Sequence, residues 1–462
     1  MKAIHDPHGL LAGRITALNE RFDLPETFPP AVLAEAENAA AMAVGADTHR
    51  DRTDEAFVTL DPASATDLDQ AFRVEMAGRD VLLHYAIADV AWFVRPGSAL
   101  EEEAWARGMT IYLPGDKVRL YPPVLSEGAA SLLPDGPRPA VIFAVRVDPA
   151  GTARLDGVER AIIRSRAKLA YEAIPEAALP PAAVELTQRI EAAERARGAA
   201  RVDPPEQELE ALAGGGYSLQ FRPRRRSEEV NASLSMACNL AVARLFQDHR
   251  TGLFRVMEEP DPEAVTQLRQ QAAALELAWP RDEDLQAFER RLDPQDWPQA
   301  AMMMAIRRAG NGAGYAAFDP AAPPWHAAIA APYAHTTAPL RRLADRYVVE
   351  AALALANDRS LPDHVTQAFA ALPPVMARAA SLAGRVERAA LDLAEAMILA
   401  DRVGQRAAAR IVAARPGRIT VQLLDHPVIV NVNGMSGVPG EIVDLRLARI
   451  DTANGRIEAE PV

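Results

Sequence analysis

The sequence predicts an α+β chain: a mixed β-sheet region with many helices, a small C-terminal β-barrel and a short helical N-terminal segment. Three observations predict it. Within residues 56–150, runs of alternating apolar and polar residues show the period of half-buried strands. From Ala183 to about residue 400, apolar residues fall instead at i, i+3, i+4 spacing, the pattern of amphipathic helices. Residues 407–462 return to alternation in five short runs separated by turns, which suggests a barrel of OB type.

Residues 1–50 read as two helical segments. The first runs from about Leu10 to Phe22, with Leu10, Leu11, Ile15 and Leu18 on one face. Pro25, Pro29 and Pro30 break the chain, and a second, Ala- and Glu-rich segment runs from about Ala31 to Ala41. The pair fits either a helix-turn-helix-like module or a helical hairpin packed on the body, and no clear basic recognition helix is visible. Gly45 to Glu55 is polar and charged and reads as a linker. Asp80 to Ala88 reads as a strand with Val81, Leu83, Tyr85 and Ile87 on one face, Leu100 to Arg107 as a short helix, and Val141 to Val147 as another strand. Helices are expected over 183–199, 229–249, 261–275, 283–291, 297–308, 340–357, 363–383 and 385–404. The terminal strands are Ala409 to Ala413, Arg418 to Leu424, Val428 to Val432, Glu441 to Ile450 and Arg456 to Pro461, with turns at Pro416-Gly417 and Asn433-Gly434. A plain β-sandwich appendage is the alternative to the barrel. The chain divides at 1–50, 51–404 and 405–462.

Composition narrows the function classes. Hydrophobic residues are 49% and charged residues 24%, so the chain is globular with a sizeable core. A formal net charge of −13 argues against indiscriminate coating of DNA, but leaves binding through local basic runs. The single cysteine, Cys238, excludes an internal disulfide and a multi-thiolate metal site, and fits a reducing, cytoplasmic compartment. The start, Met1 to Pro7, lacks an apolar signal region, and no long apolar run occurs, so neither a signal peptide nor a membrane span is expected.

The chemistry centres on the stretch from Thr59 to Phe72. Asp61, Asp67 and Asp69 fall within nine residues, a β-like run leads in, and Pro62 ends any helix. Three carboxylates on one loop repel one another unless a positive charge sits between them. A hard divalent cation such as Mg²⁺ is the usual solution. Asp-rich loops also occur as solvated turns or helix caps.

Several separated segments, in order, resemble the ribonuclease II and ribonuclease R family. The aspartate loop is the first. His84-Tyr85-Ala86-Ile87-Ala88-Asp89-Val90-Ala91 resembles the family's "HIADV" strand. Val94 to Leu100, then Tyr112-Leu113-Pro114, are similar to the next block. Leu125-Ser126 and Ser131-Leu132 match an "LS…CSL" stretch, with Ala130 in the cysteine's place, and Leu253-Phe254-Arg255-Val256 matches a further block. Tyr333 to Asp345 is similar to "YxHFTSPIRRYxD". The resemblance covers roughly residues 56–400 as an RNB-type catalytic domain, and implies an S1-like OB fold after it.

What the resemblance implies is a hydrolytic 3′→5′ exoribonuclease. It threads single-stranded RNA and releases 5′-mononucleotides in RNA turnover, using Mg²⁺, with Mn²⁺ as an alternative ion. The expected partner is single-stranded RNA, no membrane is involved, and the chain acts as a monomer in the cytoplasm. Asp61, Asp67 and Asp69 match aspartates that hold metal and orient water, Asp69 being the most critical for catalysis. Gln70 takes the place of a fourth aspartate, and its amide oxygen is still able to ligate a hard cation. Arg341 matches an arginine beside the scissile phosphate, where a guanidinium binds phosphate oxygens through two N–H groups. Arg342 follows it toward the RNA. Tyr112 and Tyr171 match positions that stack the 3′-terminal bases, a contact that tolerates any sequence.

Arg222-Pro223-Arg224-Arg225-Arg226 is the densest basic run. It reads as a phosphate track or as an exposed cluster at a helix start. Basic charge at a helix N-terminus is unfavourable, which favours the track.

The sequence departs from the family pattern at Gln70, at Ala232 and Ser233 where a Glu pair is usual, and at Ala338, Leu343, Val349 and Glu350. The first 50 residues are also too few for the family's usual pair of cold-shock barrels. Two functions follow: an active exoribonuclease with altered metal balance and RNA entry, or an RNA-binding protein with weak or lost hydrolysis. Retention of Asp61, Asp67, Asp69 and Arg341 favours the first.

Overall fold

The computed structural model describes residues 2–4, 9–42, 44–45, 47–199, 206–212, 216–222, 224–293, 296–310, 312–415 and 417–462, the side chains of 2, 3, 206, 207, 220–222, 297, 308 and 415 excepted. Pro223 and Pro416, and the side chain of Arg222, fall outside the described residues.

A seven-stranded sheet positions the aspartate loop. Its main strands are β1 (Phe57–Asp61), β2 (Gln70–Ala77) and β3 (Asp80–Ala88). After a two-stranded hairpin, β4 (Ile111–Leu113) and β5 (Asp116–Val118), come β6 (Arg138–Val147), β7 (Ala153–Ile163) and β8 (Ser165–Ala170). The order across the sheet is β8-β1-β2-β3-β6-β7, with the two-residue strand Arg50–Asp51 at the far edge. The outermost pairings, β8 on β1 and Arg50–Asp51 on β7, are parallel and the rest antiparallel. Tyr85 sits opposite Phe72 on one side and Phe143 on the other, and all three are buried. These aromatic cross-strand neighbours fix the register by packing, since a one-residue slip would turn them to the other face. Gly45 to Glu55 is no linker: within it Arg50–Asp51 pairs with β7, and the buried His49 Nε2 lies 3.1 Å from Asp89 Oδ2.

Helices cover the sheet. The longest of those against the site is α1 (Arg226–Asp248), opened by Glu228 and Glu229 in its first turn. These acids sit where the helix dipole favours negative charge and offset the arginines beside them. Two further helices, α2 (Leu343–Leu355) and α3 (Asp363–Ile398), complete the core. The helix expected from residue 340 therefore begins at Leu343, which leaves Arg341 and Arg342 in the preceding turn. The two helices expected over 363–404 are instead the single 36-residue α3, despite Pro373, Pro374 and Gly384. Its buried face explains the continuity. Val365, Phe369, Leu372 and Met376 pack into the catalytic core, and Val386, Ala390 and Leu393 continue the same stripe into a second cluster. Burial along the whole stripe outweighs the roughly 1 kcal/mol of the helix-interior glycine and the roughly 3 kcal/mol of each interior proline.

The N-terminal helices serve two different clusters. Leu11, Ile15 and Leu18 pack with Tyr217 and Leu219 on the second half of α3, while Val32, Ala36 and Ala39 join the core under the sheet. The barrel follows α3. Its strands β9 (Arg406–Arg415), β10 (Arg418–Leu423), β11 (Ile429–Asn433), β12 (Ile442–Asp451) and β13 (Arg456–Pro461) run in the order β11-β10-β9-β12-β13. Every pairing is antiparallel, and the outer strands β11 and β13 meet to nearly close it. The alternate residues Ile419, Val421 and Leu423 with Val430, Val432, Leu445 and Leu447 fill the interior. This is the OB-type barrel, not the sandwich.

Candidate active site

The segment from Pro62 to Asp69 leaves the end of β1 and returns at the start of β2, and other parts of the chain hold its shape. Lys168 Nζ donates to the carbonyl oxygens of Ala63, at 2.7 Å, and Ala65. Ser131 Oγ donates to Thr66 O at 2.7 Å and accepts from Leu68 N–H at 2.9 Å. Glu172 Oε2 accepts from Ala63 N–H at 3.1 Å. A loop tied at this many points presents its carboxylates in a fixed arrangement, which makes it more than a solvated turn.

Asp69 is only 2% exposed. Its Oδ1 accepts from Leu340 N–H at 2.7 Å, and its Oδ2 lies 3.2 Å from Arg341 Nε. Burial pushes its carboxyl up to about 7, against the pull of Arg341 and the Leu340 N–H. Asp61 closes β1; burial pushes it up to about 6, Arg341 and Lys168 pull it down, and Asp67 raises it. Its Oδ2 is buried without a hydrogen-bond partner, a costly position for a carboxylate oxygen. Asp67, like Asp69, has both its oxygens engaged. Oδ1 is 2.7 Å from Lys117 Nζ, and Oδ2 accepts from Tyr112 O–H at 3.1 Å.

Arg341 is fixed through its backbone. Its carbonyl accepts from Thr110 N–H at 3.0 Å, and Leu343 N–H donates to Gly108 O at 3.0 Å. Gly108 has φ +73°, and a Cβ there would stand 2.8 Å from Ala379 Cβ, so the close approach needs glycine. The Arg341 side chain remains 44% exposed, open to an incoming phosphate. Tyr112, on β4, is 49% exposed with its hydroxyl on Asp67, so its ring is available for stacking. Tyr171 packs partly buried beside Asp61, donating its backbone N–H to Asp61 O at 3.0 Å.

Asp61, Asp67, Asp69, Arg341, Tyr112 and Tyr171 thus share one region, and other expected residues are set otherwise. Gln70, expected among the metal ligands, turns away: its Oε1 accepts from Tyr85 O–H and from Ser235 O–H at 3.1 Å, which uses both lone pairs. Adjacent strand residues point to opposite faces, so Gln70 leaves the loop where Asp69 faces it. Arg342 is clamped on the buried Asp345, Nε to Oδ1 at 3.0 Å and Nη2 to Oδ2 at 2.7 Å. Arg226 Nη1 pairs with Glu191 at 2.9 Å and Glu229 at 2.7 Å. Arg225 lies 3.9 Å from Glu172, and both Arg225 and Arg224 are exposed at the head of α1.

Sequence reasoning missed two features. One is a ladder on α1 at i, i+4 spacing. Ser227 Oγ donates to Tyr171 O at 3.0 Å, Asn231 Nδ2 to Tyr171 Oη at 2.6 Å, Ser235 meets Gln70, and Asn239 Nδ2 donates to Tyr333 Oη at 2.8 Å. Polar residues every fourth position within an otherwise apolar helix were the available signal. The other is Lys117. The Pro114-Gly115 turn places it directly across the hairpin from Tyr112.

Carboxylate oxygens are the donors a hard divalent cation prefers, and the orphaned Asp61 Oδ2 fits such a ligand. Among the described residues, however, no three His, Cys, Asp or Glu side chains converge tightly enough to ligate one ion. No described helix is long and apolar enough to cross a membrane.

Comparison with known proteins agrees with this architecture. The RNB domain model matches residues 49–356, and the model of the RNase II-type exonuclease C-terminal S1 domain matches residues 405–462. Ribonuclease R of Thermotoga maritima is 30% identical over 71% of this chain and 49% of its own length. Exoribonuclease 2 of an Enterobacter species is 28% identical over 89% of this chain and 70% of its own length. The structure of Mycoplasma genitalium RNase R in complex with ribose-methylated single-stranded RNA superposes with a TM-score of 0.86 at 20% identity, covering 98% of this chain and 78% of that one. The chain spans about half the length, or less, of the ribonuclease R relatives it matches. With the RNB domain model matching more than half of its residues, the chain belongs to the RNB family, and its relatives include proteins named ribonuclease R and exoribonuclease 2.

Proposed function

We propose that the chain is a 3′→5′ exoribonuclease that hydrolyses single-stranded RNA processively to 5′-mononucleotides, acting as a cytoplasmic monomer in RNA turnover. The observation that carries the reading is the Asp69–Arg341 pair, a buried carboxylate that fixes an exposed guanidinium beside Asp61 and Asp67. Arg341 binds the scissile phosphate and stabilises the charge that builds on it. Asp69 holds Arg341 and the Leu340 turn in place. Tyr112 and Tyr171 hold the terminal bases by stacking. Arg222, Arg224 and Arg225 attract the phosphate backbone, and the ion pairs of Arg226 with Glu191 and Glu229 brace the head of α1. Asp61 and Asp69, with Asp67 beside them, would hold a divalent ion. Mg²⁺ or Mn²⁺ supplies an attacking water of lowered pKa and a counter-charge for the leaving oxygen.

A second reading, RNA binding without hydrolysis, is favoured by one observation: both oxygens of Asp67 are already engaged by Lys117 and Tyr112. One experiment separates the two. A 5′-labelled single-stranded RNA is incubated with the protein and Mg²⁺ or Mn²⁺, with and without EDTA. Stepwise shortening from the 3′ end with mononucleotide release, abolished by EDTA, supports the nuclease. RNA that is bound but released intact with either ion sinks it and leaves the binding reading.

A further inference from the structure

Two buried aspartates from distant parts of the chain grip the turn that carries Arg341. Asp69 takes the Leu340 N–H at 2.7 Å and lies 3.2 Å from Arg341 Nε. Asp345 takes the entry of the turn: its Oδ2 accepts from Ala338 N–H at 2.8 Å. The same carboxylate holds Arg342 through two nitrogens, Nε on Oδ1 at 3.0 Å and Nη2 on Oδ2 at 2.7 Å. Within the turn, the N–H groups of Arg341 and Arg342 both donate to Ala338 O, at 3.2 and 2.9 Å. Ala338 is thus the pivot for both arginines, and Asp345 fixes it. Asp345 does so from the third residue of α2, where the helix dipole favours an acid and a side chain is able to reach back past the helix start. Asp345 and Ala338 are fully buried, so solvent does not compete for these bonds. The result divides two adjacent arginines: Arg342 is paired and 23% exposed, while Arg341 is 44% exposed.

We propose that Asp345 is a positioning residue for the reaction: by fixing Ala338 and holding Arg342 back, it sets Arg341 as the one guanidinium of the pair that meets the scissile phosphate. The inference rests on the role given to Arg341 above. Asp345 touches no RNA in this scheme and acts only through the turn. The exit of the turn is held elsewhere, by Thr110 on Arg341 O and by Gly108 on Leu343 N–H. Before its entry, Asn239 Oδ1 accepts from Thr336 N–H at 3.0 Å. Losing Asp345 therefore leaves the segment attached at both ends and loosens the turn between them. Ala338 N–H loses its acceptor, and the released Arg342 competes with Arg341 for the same phosphate. A reacting group misplaced by about 1 Å costs up to about 10²-fold in rate. An ion pair that only stabilised the start of α2 would leave the rate alone.

The test is a cycle of four full-length proteins: wild type, Asp345→Asn, Arg341→Lys and the double variant. Cleavage of single-stranded RNA gives kcat and KM, and melting curves check that each protein is folded. Asp345→Asn is expected to lower kcat by about 10–100-fold with KM changed by less than about 2-fold. In the Arg341→Lys background the same change is expected to cost less than about 3-fold, because the group it positions is already gone. Equal factors in the two backgrounds overturn the inference, and so does an Asp345→Asn enzyme with wild-type kcat or with a loss in KM alone. If Asp345→Asn fails to fold with Arg342 unpaired, Asp345→Asn combined with Arg342→Met takes its place in the cycle. A further measurement needs no cleavage. Arginines are modified with phenylglyoxal, with and without adenosine 5′-monophosphate, and mapped by mass spectrometry. In wild type Arg341 is expected to react, the nucleotide to protect it, and Arg342 to stay unreactive. In Asp345→Asn, Arg342 is expected to react and the protection of Arg341 to be lost; a pattern unchanged from wild type overturns the inference. If wild type fails to cleave RNA, the proposed function falls while the arginine map still judges Asp345. Equal factors in a cleaving enzyme remove Asp345 alone.

Discussion

Asp69→Asn should make the protein more stable while it abolishes cleavage, and the gain should depend on pH. Burial raises the Asp69 carboxyl from its ordinary 3.8 to about 7. That rise of about 3 units, at about 1.4 kcal/mol per unit, makes the ionised group cost the fold about 4 kcal/mol above pH 7. The sign follows from proton counting. Between 3.8 and about 7 the folded chain holds more protons than the unfolded chain, so stability falls as pH rises through that window. Asparagine removes the ionisation and keeps an oxygen for the Leu340 N–H. It also sets an amide N–H group against Arg341, a mismatch of about 2 kcal/mol. The net gain in EDTA is then about 2 kcal/mol at pH 8 and near zero at pH 5 by the same arithmetic. At about 2 cal/mol/K per residue, 2 kcal/mol raises Tm by about 2–3 °C, depending on whether the whole chain or the catalytic domain melts as a unit. Fluorescence-monitored melting of both proteins at pH 5 and pH 8 in EDTA reads the difference, and gel shifts with single-stranded RNA check that binding survives. A stability difference that is the same at both pH values, or a variant less stable than wild type at pH 8, would refute the claim that Asp69 is held ionised at a cost.

Three further outcomes are expected. Arg341→Lys should lower kcat by about 10²–10³ with little change in RNA affinity, because an ammonium lacks the fork that spans two phosphate oxygens; unchanged kcat removes Arg341 from the reacting phosphate. Tyr112→Ala should weaken binding of single-stranded RNA by about 1–3 kcal/mol, and Tyr112→Phe should not, since stacking needs the ring and not the hydroxyl; equal losses in filter binding contradict that role. Gln70→Ala should destabilise the fold by about 1–3 kcal/mol in urea, by removing the acceptor that the Tyr85 and Ser235 hydroxyls share and leaving them only each other, 2.9 Å apart. Its Mn²⁺ affinity should stay as in wild type, and a large loss there would return Gln70 to the ligands.

What the sequence made legible was periodic or local. The strand Asp80–Ala88 and the terminal strand Arg456–Pro461 have the bounds that their alternation predicts. The strands over 153–170 escaped notice because the adjacent Glu159 and Arg160 interrupt the alternation, and Gly157 lies where β6 and β7 shift register. The join at Gly384 was invisible because it depends on two clusters that only the folded chain brings under one helix. In the site, the three aspartates and Arg341 were readable from residue types and order. The direction of Gln70 was readable too, had the strand's period been applied to its first residue. Lys117 was not, since its bond to Asp67 joins positions 50 apart in the sequence.

The stripe Ser227, Asn231, Ser235 and Asn239 makes α1 the measuring rod of the site. Four residues of α-helix advance about 6 Å, so the attachment points for Tyr171, Gln70 and Tyr333 are spaced in steps of that length along about 18 Å of one rigid element. The spacing of these anchored residues is therefore set in steps of four helical residues. A single residue inserted near the middle of α1 would rotate everything beyond it by about 100° and detach half the rungs at once. Changes in the size of the site should come from the loop that carries Asp67 and the hairpin that carries Tyr112, which α1 does not hold, while α1 stays constant in length.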